Sequence, residues 1–431
     1  MTTCVVGLGK IGLPLAVQIA SKGESVIGCD VNQEVVDLIN MGEVPFPGEI
    51  NLAESLLQVR QEDLLKASID TTQAVQLADT VVVVVPVIVD ETAKPDFSAI
   101  DSATRDIAGG LKQNTLICYE TTLPIGTTRN RFGPLLQEIS GLDYETDFYL
   151  AYSPERVFSG RIFADLRTYP KLVGGINDQS TQRAITFYES VLDFDDRPDL
   201  DQPNGVWNLG KSEAAEMAKL IETTYRNVNI ALANEFAIHA EELSIDIGNV
   251  IQASNSQPFS HIHNPGVAVG GHCIPVYPKF YLSTHENASL PQAAISVNES
   301  MPIRAVEQLK RSFGNDVAKK RVAILGAAYR GGVKETAFSG VFSLVTQITH
   351  NGWDPLVHDP LYTDTELIEL GFQPFTLGES CDAAIIQTDH EAYKRITSKD
   401  LPDAQYLYDG RRILSQNQIK PITLLKLGSG Q

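Results

Sequence analysis

The chain has 431 residues, 43% of them hydrophobic and 20% charged, with a formal net charge of −20. That length exceeds what one core usually supports and predicts two or three domains, while the composition excludes disorder. The acidic excess argues against nucleic acid and anionic membranes as partners.

The first residues run straight into TTCVVGLG, without a basic leader, and the longest apolar run, Val81 to Val89, is too short to cross a bilayer. Five dispersed cysteines with no CxxC pair give neither a disulfide framework nor a metal site, so a reducing, cytoplasmic setting is expected. CVVGLG reads as a strand opening a glycine turn, with a helix from about Ile11. Gly7, Gly9 and Gly12 form G-x-G-x-x-G in the strand-to-helix context that gives this motif meaning. Gly7 permits the turn, Gly9 lets a pyrophosphate approach the backbone, and Gly12 lets helix pack on strand. The next strand, SVIGCDV, ends in Asp30, whose carboxylate suits two ribose hydroxyls and repels a 2′-phosphate, which selects NAD over NADP. ADTVVVVVPV and NTLICYET, apolar on both faces, extend this into a doubly wound parallel sheet.

From Lys211 to about Leu243 no Pro or Gly interrupts an apolar pattern at helical spacing. One long helix follows, expected to link two domains and to pack against a second copy in a homodimer or higher oligomer. In the Pro- and Gly-rich loop beyond it, PGVAVGGHCIPVYP, Cys273 follows Gly270 and Gly271 and precedes two prolines. A lone cysteine is ordinarily a small buried hydrophobe; this loop instead suits a presented thiol. KKRVAILGAAYRGG opens a second Rossmann-type α/β domain near Ala318, with strand-like DPLVHDP, AAIIQTD and QYLYDGRR after it. The expected domains are 1–200 for the cofactor, 201–310 for helical dimerisation with the cysteine loop, and 311–431 for the substrate.

GLGKIGLPLA, ETTLPIGTT, YSPERVFSGR, KLIETTYRNVNIALANE, GGHCIPVYP, LGAAYRGGVKET and YDGRR occur in this order along nearly the whole chain. Together they resemble the UDP-glucose/GDP-mannose dehydrogenase family, most closely members acting on UDP-N-acetylhexosamines. The resemblance implies NAD-dependent, four-electron oxidation of the C6 alcohol of a UDP-sugar, with UDP-N-acetylmannosamine or UDP-N-acetylglucosamine the expected substrate. It implies Cys273 as the nucleophile that forms a thiohemiacetal and then a thioester, Lys219 as the cation beside the oxyanion, and Glu155 as the carboxylate that activates water. Thr122 and Thr223 join the catalytic set. Leu8, Lys10, Ile11, Val31, Pro86, Thr122 and Lys334 join Gly7, Gly9, Gly12 and Asp30 as cofactor candidates. Arg156, Arg226, His261, His263, Gly270, Gly271, Tyr277, Arg330 and Arg411 join Glu155 and Lys219 as substrate candidates.

The chain departs from the family's pattern at four places. Thr223 stands where many relatives carry Asn, and Tyr277 where many carry Asp. Gln257 replaces an arginine that UDP-glucose enzymes use for the sugar, leaving His261 and His263 as substitutes. VKETAFS lacks the arginine of D-x-R-E-S, with Lys334 the candidate for its charge. Three alternatives stay open: a UDP-glucose 6-dehydrogenase, a two-electron β-hydroxyacid dehydrogenase needing no Cys273, and a catalytically silent NAD-binding redox sensor.

Overall fold

The computed structural model describes residues 1–430 apart from Glu91, Ser159 and Val317, so Ser159 of the YSPERVFSGR run lies outside the described residues. The chain divides into two compact units, residues 1–221 with 279–284 and residues 222–278 with 285–431.

The first unit is built on an eight-stranded sheet. Its strands are β1 (Thr2–Val6), β2 (Ser25–Cys29), β3 (Leu65–Ser68) and β4 (Thr80–Val83). After a small ribbon of β5 (Ile88–Val89) and β6 (Pro95–Asp96) come β7 (Leu116–Tyr119), β8 (Tyr149–Tyr152), β9 (Lys171–Gly175) and β10 (Val206–Lys211). The spatial order is β3-β2-β1-β4-β7-β8-β9-β10. Every pairing is parallel except that β9 runs against β8. The sequence pattern alone did not distinguish that reversal, because a short buried strand is apolar on both faces whichever way it runs. Val81, Val82 and Val83 of β4 have no exposed surface. Each such valine contributes about 1.5–3 kcal/mol by leaving water.

The switch point lies at β1, which pairs with β2 on one side and β4 on the other. In open α/β sheets ligands bind at the carboxyl ends of strands at such a point. The glycine turn leaves β1 there, and the first helix (Gly12–Ala20) starts beyond it.

The second unit carries a five-stranded parallel sheet, β11 (Arg321–Leu325), β12 (Asp354–His358), β13 (Ala383–Ile386), β14 (Tyr406–Asp409) and β15 (Thr423–Lys426), in the order β12-β11-β13-β14-β15. Alternation along the strands feeds two cores. Val322, Ile324, Ala383 and Ile385 face one, and Ala323, Leu325, Ala384 and Ile386 face the other. Packing on both faces explains why residues 322–325 of β11 and 383–386 of β13 carry no polar side chain in either register.

The long helix spans Ser212–Glu242, 31 residues, one residue inside the predicted range at each end. Among the described residues no helix is long and apolar enough to cross a membrane.

Candidate active site

The glycine turn has the form a bound dinucleotide needs. Gly7 has φ +93°, a left-handed conformation that a side chain disfavours. A Cβ on Gly12 would lie 1.8 Å from the Gly7 carbonyl oxygen, so helix and turn touch backbone to backbone. A Cβ on Gly9 would meet nothing within 4 Å, which leaves that stretch of backbone open to a ligand. Asp30, partly exposed just past β2, accepts from the Leu8 amide (2.9 Å) with one oxygen and from the Asn32 amide (2.9 Å) with the other. These features fit NAD. The Leu8 side chain is fully buried, so only its main chain lies on the turn, whereas Lys10 and Val31 are exposed and Ile11 is partly buried. Pro86 is exposed in the loop after β4, to which the Thr121 hydroxyl ties the ETT segment by donating to the Val85 carbonyl (2.6 Å). Thr122 is buried beside it in sequence.

Past the ends of β7 and β8 lies a buried ion cluster. Lys171 Nζ donates to Glu120 Oε2 (2.7 Å) and to Glu155 Oε2 (3.0 Å). The Tyr188 hydroxyl donates to the other oxygen of Glu120 (2.6 Å). The second oxygen of Glu155 accepts the main-chain amides of Arg156 (2.6 Å) and Val157 (3.1 Å). Burial alone would raise the Glu155 carboxyl, but Lys171 and the Arg156 amide outweigh it and hold the group below the ordinary glutamate value. For Glu120 burial wins: its pKa is pushed up to about 7, with Lys171 opposing and Glu155 adding to the rise. The Arg156 guanidinium donates to the Pro170 carbonyl (3.3 Å) and lies over Tyr169.

Lys219 Nζ donates to the main-chain carbonyl of Glu155 (2.6 Å). The lysine sits on a polar line that winds along the buried side of the long helix, through Ser212, Glu216, Lys219, Thr223, Asn227 and Asn234. Steps of three, four and seven keep those residues on one face. Water-soluble helices ordinarily bury apolar residues there, so this line marks built polar contacts. Glu216 accepts from the amides of Gly126 (2.5 Å) and Thr128 (2.8 Å) and from the Thr128 hydroxyl (2.7 Å), and burial pushes its pKa up to about 7 against those donors. Farther along, Asn229 grips the loop before the cysteine, donating to the His261 carbonyl (2.7 Å) and accepting the His263 amide (2.9 Å). Asn234 accepts the Gly266 amide (2.9 Å).

Cys273 is partly buried, and its carbonyl accepts the Tyr277 amide (2.9 Å). The segment leading to it lies across the carboxyl end of the second sheet. The Val267 amide donates to Gly410 (3.1 Å) and the Gly271 amide to Ala337 (2.8 Å). A Cβ on Gly270 would lie 2.6 Å from the Tyr329 Cβ, and one on Gly271 would lie 3.0 Å from the Tyr329 ring. The glycine pair is therefore a requirement of close packing rather than a source of looseness.

The second unit also gathers basic candidates. The Arg411 guanidinium lies partly buried against Gly266, donates from Nε to the Gln387 carbonyl (2.5 Å), and has no carboxylate within ion-pair distance among the described residues. Burial pulls its pKa down, against Asp389 and Asp409. Arg330 is exposed and lies over Tyr329. His263 is held below the ordinary histidine value by burial and by Arg226, and Arg226 lies 3.9 Å from Glu222. His261 is exposed, and Tyr277 is partly buried. Lys334 pairs with Glu366 (2.5 Å) and lies over Tyr362.

Three features escaped the sequence reading: the Glu120–Lys171–Tyr188 set, Glu216, and a buried Asp359–His390 pair (3.1 Å) in the second unit. The available signal was a charged residue at the edge of an apolar run, as in LICYE and KLVGG.

Models of the UDP-glucose/GDP-mannose dehydrogenase family match the chain as an NAD binding domain over residues 1–192, a central domain over 213–301 and a UDP binding domain over 323–416. The chain is 32% identical to the UDP-N-acetyl-D-mannosamine dehydrogenase of Pyrococcus horikoshii over 100% of its own length and 99% of that protein's. A solved structure of the Pyrococcus horikoshii enzyme superposes with a TM-score of 0.87 at 31% identity, covering 100% of both chains. The Escherichia coli K12 enzyme of the same name is 30% identical over 96% of this chain and 99% of its own. Glycine turn, carboxylate, cysteine loop and full-length match agree: the chain belongs to the UDP-glucose/GDP-mannose dehydrogenase family and is an NAD-dependent oxidoreductase.

Proposed function

We propose that this enzyme oxidises the C6 alcohol of UDP-N-acetyl-D-mannosamine to the carboxylate, with Cys273 carrying the covalent intermediate. The substrate assignment is supported by full-length relatives of that name. The observation that carries the chemistry is the Lys219–Glu155 contact, which joins a helix ammonium to a loop whose carboxylate is held ionised.

The Gly7–Gly12 turn, with Asp30 at the ribose, would hold NAD, which would supply a hydride acceptor, one molecule for each of the two two-electron oxidations. The chain's own residues do the rest. The Cys273 thiolate adds to the aldehyde carbon, forming a C–S bond and an alkoxide that takes up a proton. Lys219 stabilises the oxyanion, and Thr122 and Thr223 orient the reacting groups. After the second oxidation Glu155 takes a proton from water as the water oxygen bonds to the thioester carbon and the thiolate leaves. Arg411, a partly buried cation with no carboxylate within ion-pair distance among the described residues, suits a phosphate of the nucleotide, and Arg330, exposed beyond β11, is assigned to the same ligand. Arg226, His261, His263 and Tyr277 are assigned to the sugar, Arg156 to the substrate loop and Lys334 to the cofactor.

In this reading residues 1–200 bind the cofactor, 201–310 supply dimerisation and the cysteine loop, and 311–431 hold the nucleotide sugar. Dimerisation is supported by Met217, Ile221, Tyr225, Leu232 and Phe236, all exposed at helical spacing along the long helix. The setting is the cytoplasm, in keeping with five free thiols.

The test is a panel of UDP-sugars assayed for NADH at completion. Two NADH per substrate are expected, with UDP-N-acetyl-D-mannosamine preferred. Cys273→Ser is expected to lower acid formation by at least about a thousandfold, and Glu155→Gln to accumulate a thioester visible by mass spectrometry. One NADH per substrate with an unimpaired Cys273→Ser variant would establish a simple two-electron dehydrogenase.

A further inference from the structure

The chemistry above uses Glu155 and leaves its buried partner, Glu120, without a task. Glu120 is 1% exposed at the end of β7, Lys171 is 4% exposed at the start of β9, and the two carboxylates share the one ammonium group. Two carboxylates, Glu120 fully buried and Glu155 partly so, against one positive charge leave an uncompensated charge, which a low-dielectric site resolves by binding a proton. The groups facing Glu120 are Lys171 from β9, Tyr188 from the helix Asp178–Val191, Glu155 from the loop after β8, and Cys118 from β7 itself, with Arg183 acting on Cys118 at longer range. Lys219 bonds to the main chain of Glu155 rather than to its carboxylate.

We propose that Glu120 is a positioning residue for Glu155, setting the orientation and basicity of that carboxylate through the Lys171 ammonium group that both hold. The proposal rests on the reading of Glu155 as the base of thioester hydrolysis. While Glu120 carries a proton, Lys171 is drawn to Glu155 alone, and that carboxylate is a weak base. Once Glu120 ionises, Lys171 is divided between two carboxylates, and Glu155 accepts the proton of water more readily. Since burial places the Glu120 pKa at about 7, hydrolysis accelerates as pH rises through neutrality.

The experiment follows decay of the Cys273 acyl adduct by rapid quench and mass spectrometry from about pH 6 to about pH 8, with UDP-N-acetyl-D-mannosamine and NAD as the reactants. In the unmodified enzyme the hydrolysis constant rises about fivefold across that range. Glu120→Gln, which keeps the size and an acceptor for Lys171 but carries no charge, removes the rise and holds the constant at its acidic value. Michaelis constants for both reactants stay within about twofold, so the loss falls on kcat. Tyr188→Phe removes a donor that favours ionised Glu120 and moves the rise to higher pH. Glu120→Asp restores part of it. Without any ligand, the infrared titration of the unmodified protein minus that of Glu120→Gln leaves a buried carboxylic acid band lost near neutrality, beyond the Glu216 band that both proteins share, and this needs only a folded protein. If both Glu120→Gln and Tyr188→Phe keep the full rise while Glu155→Gln accumulates adduct, the role of Glu120 is overturned and that of Glu155 stands. If Glu155→Gln hydrolyses its adduct normally, the reading of Glu155 falls first.

Discussion

The two α/β sheets solve one local problem identically and then diverge. In each, an aspartate just past the second strand ties down the turn that leaves the first strand. Asp30 accepts the Leu8 amide (2.9 Å) and the Asn32 amide (2.9 Å); Asp359 accepts the Ala327 amide (2.8 Å) and the Leu361 amide (2.9 Å). Asp30 stays partly exposed. Asp359 is 2% exposed because His390, arriving from the end of β13, covers it. The Gly332 amide donates to His390 Nδ1 (3.2 Å), which leaves Nε2 to donate to Asp359. An acid at this point is thus a structural brace in both sheets, and only the first leaves a side of it open for a ribose.

Removing the covered acid should have the largest effect. Asp359→Ala strands His390 and several main-chain donors in a dry site and is expected to destabilise the second unit by about 3–5 kcal/mol while leaving NAD affinity unchanged, as read by chemical denaturation and calorimetric titration. A fall in NAD affinity would show that the halves are not independent in this respect.

Acid should separate the halves next. The Glu216 pKa is raised from 4.5 to about 7, chiefly by burial, so the folded first unit binds a proton that the unfolded chain releases. Its stability therefore grows as pH falls from about 7 to 4.5, by up to about 3 kcal/mol. Asp359 runs the other way. Burial alone would raise it, but the His390 and main-chain hydrogen bonds hold it below the usual carboxylate value, so its stabilisation is present above the ordinary aspartate range and is lost as pH falls through its lowered value. Segment-resolved hydrogen exchange at pH 7 and at about pH 5 should show protection rising around residues 126–128 in wild type and unchanged there in Glu216→Gln. Equal behaviour of the two proteins would remove the proton from that site.

The smallest effect belongs to the open acid. Asp30→Ala should raise the Michaelis constant for NAD about tenfold, or about 1.4 kcal/mol, and improve the NADP/NAD ratio. Lower stability with unchanged cofactor preference would leave Asp30 with the brace alone.

Much of this was legible beforehand because it is local. The glycine turn, the end of the second strand at Asp30 and the Ser212–Glu242 helix follow from short-range pattern, and so do β11 to β14. The strands β3, β8, β9, β10 and β15 were not read, being short segments whose burial depends on neighbours far along the chain. The same reason hid His390 over Asp359, 31 residues apart, and Lys171 between Glu120 and Glu155. Burial of a charge is a property of the assembled sheet, and no single segment carries it.

The stretch before Cys273 has an engineering consequence. A Cβ on Gly340 would sit 2.2 Å from the Ala268 side chain and one on Gly410 would sit 2.5 Å from that of Val267, so three turns of the second sheet are moulded onto residues 266–271. Anyone exchanging carboxyl-terminal halves between relatives would need to transplant the cysteine loop along with them. A seam cut between the two would leave the sulfur riding on a mismatched floor.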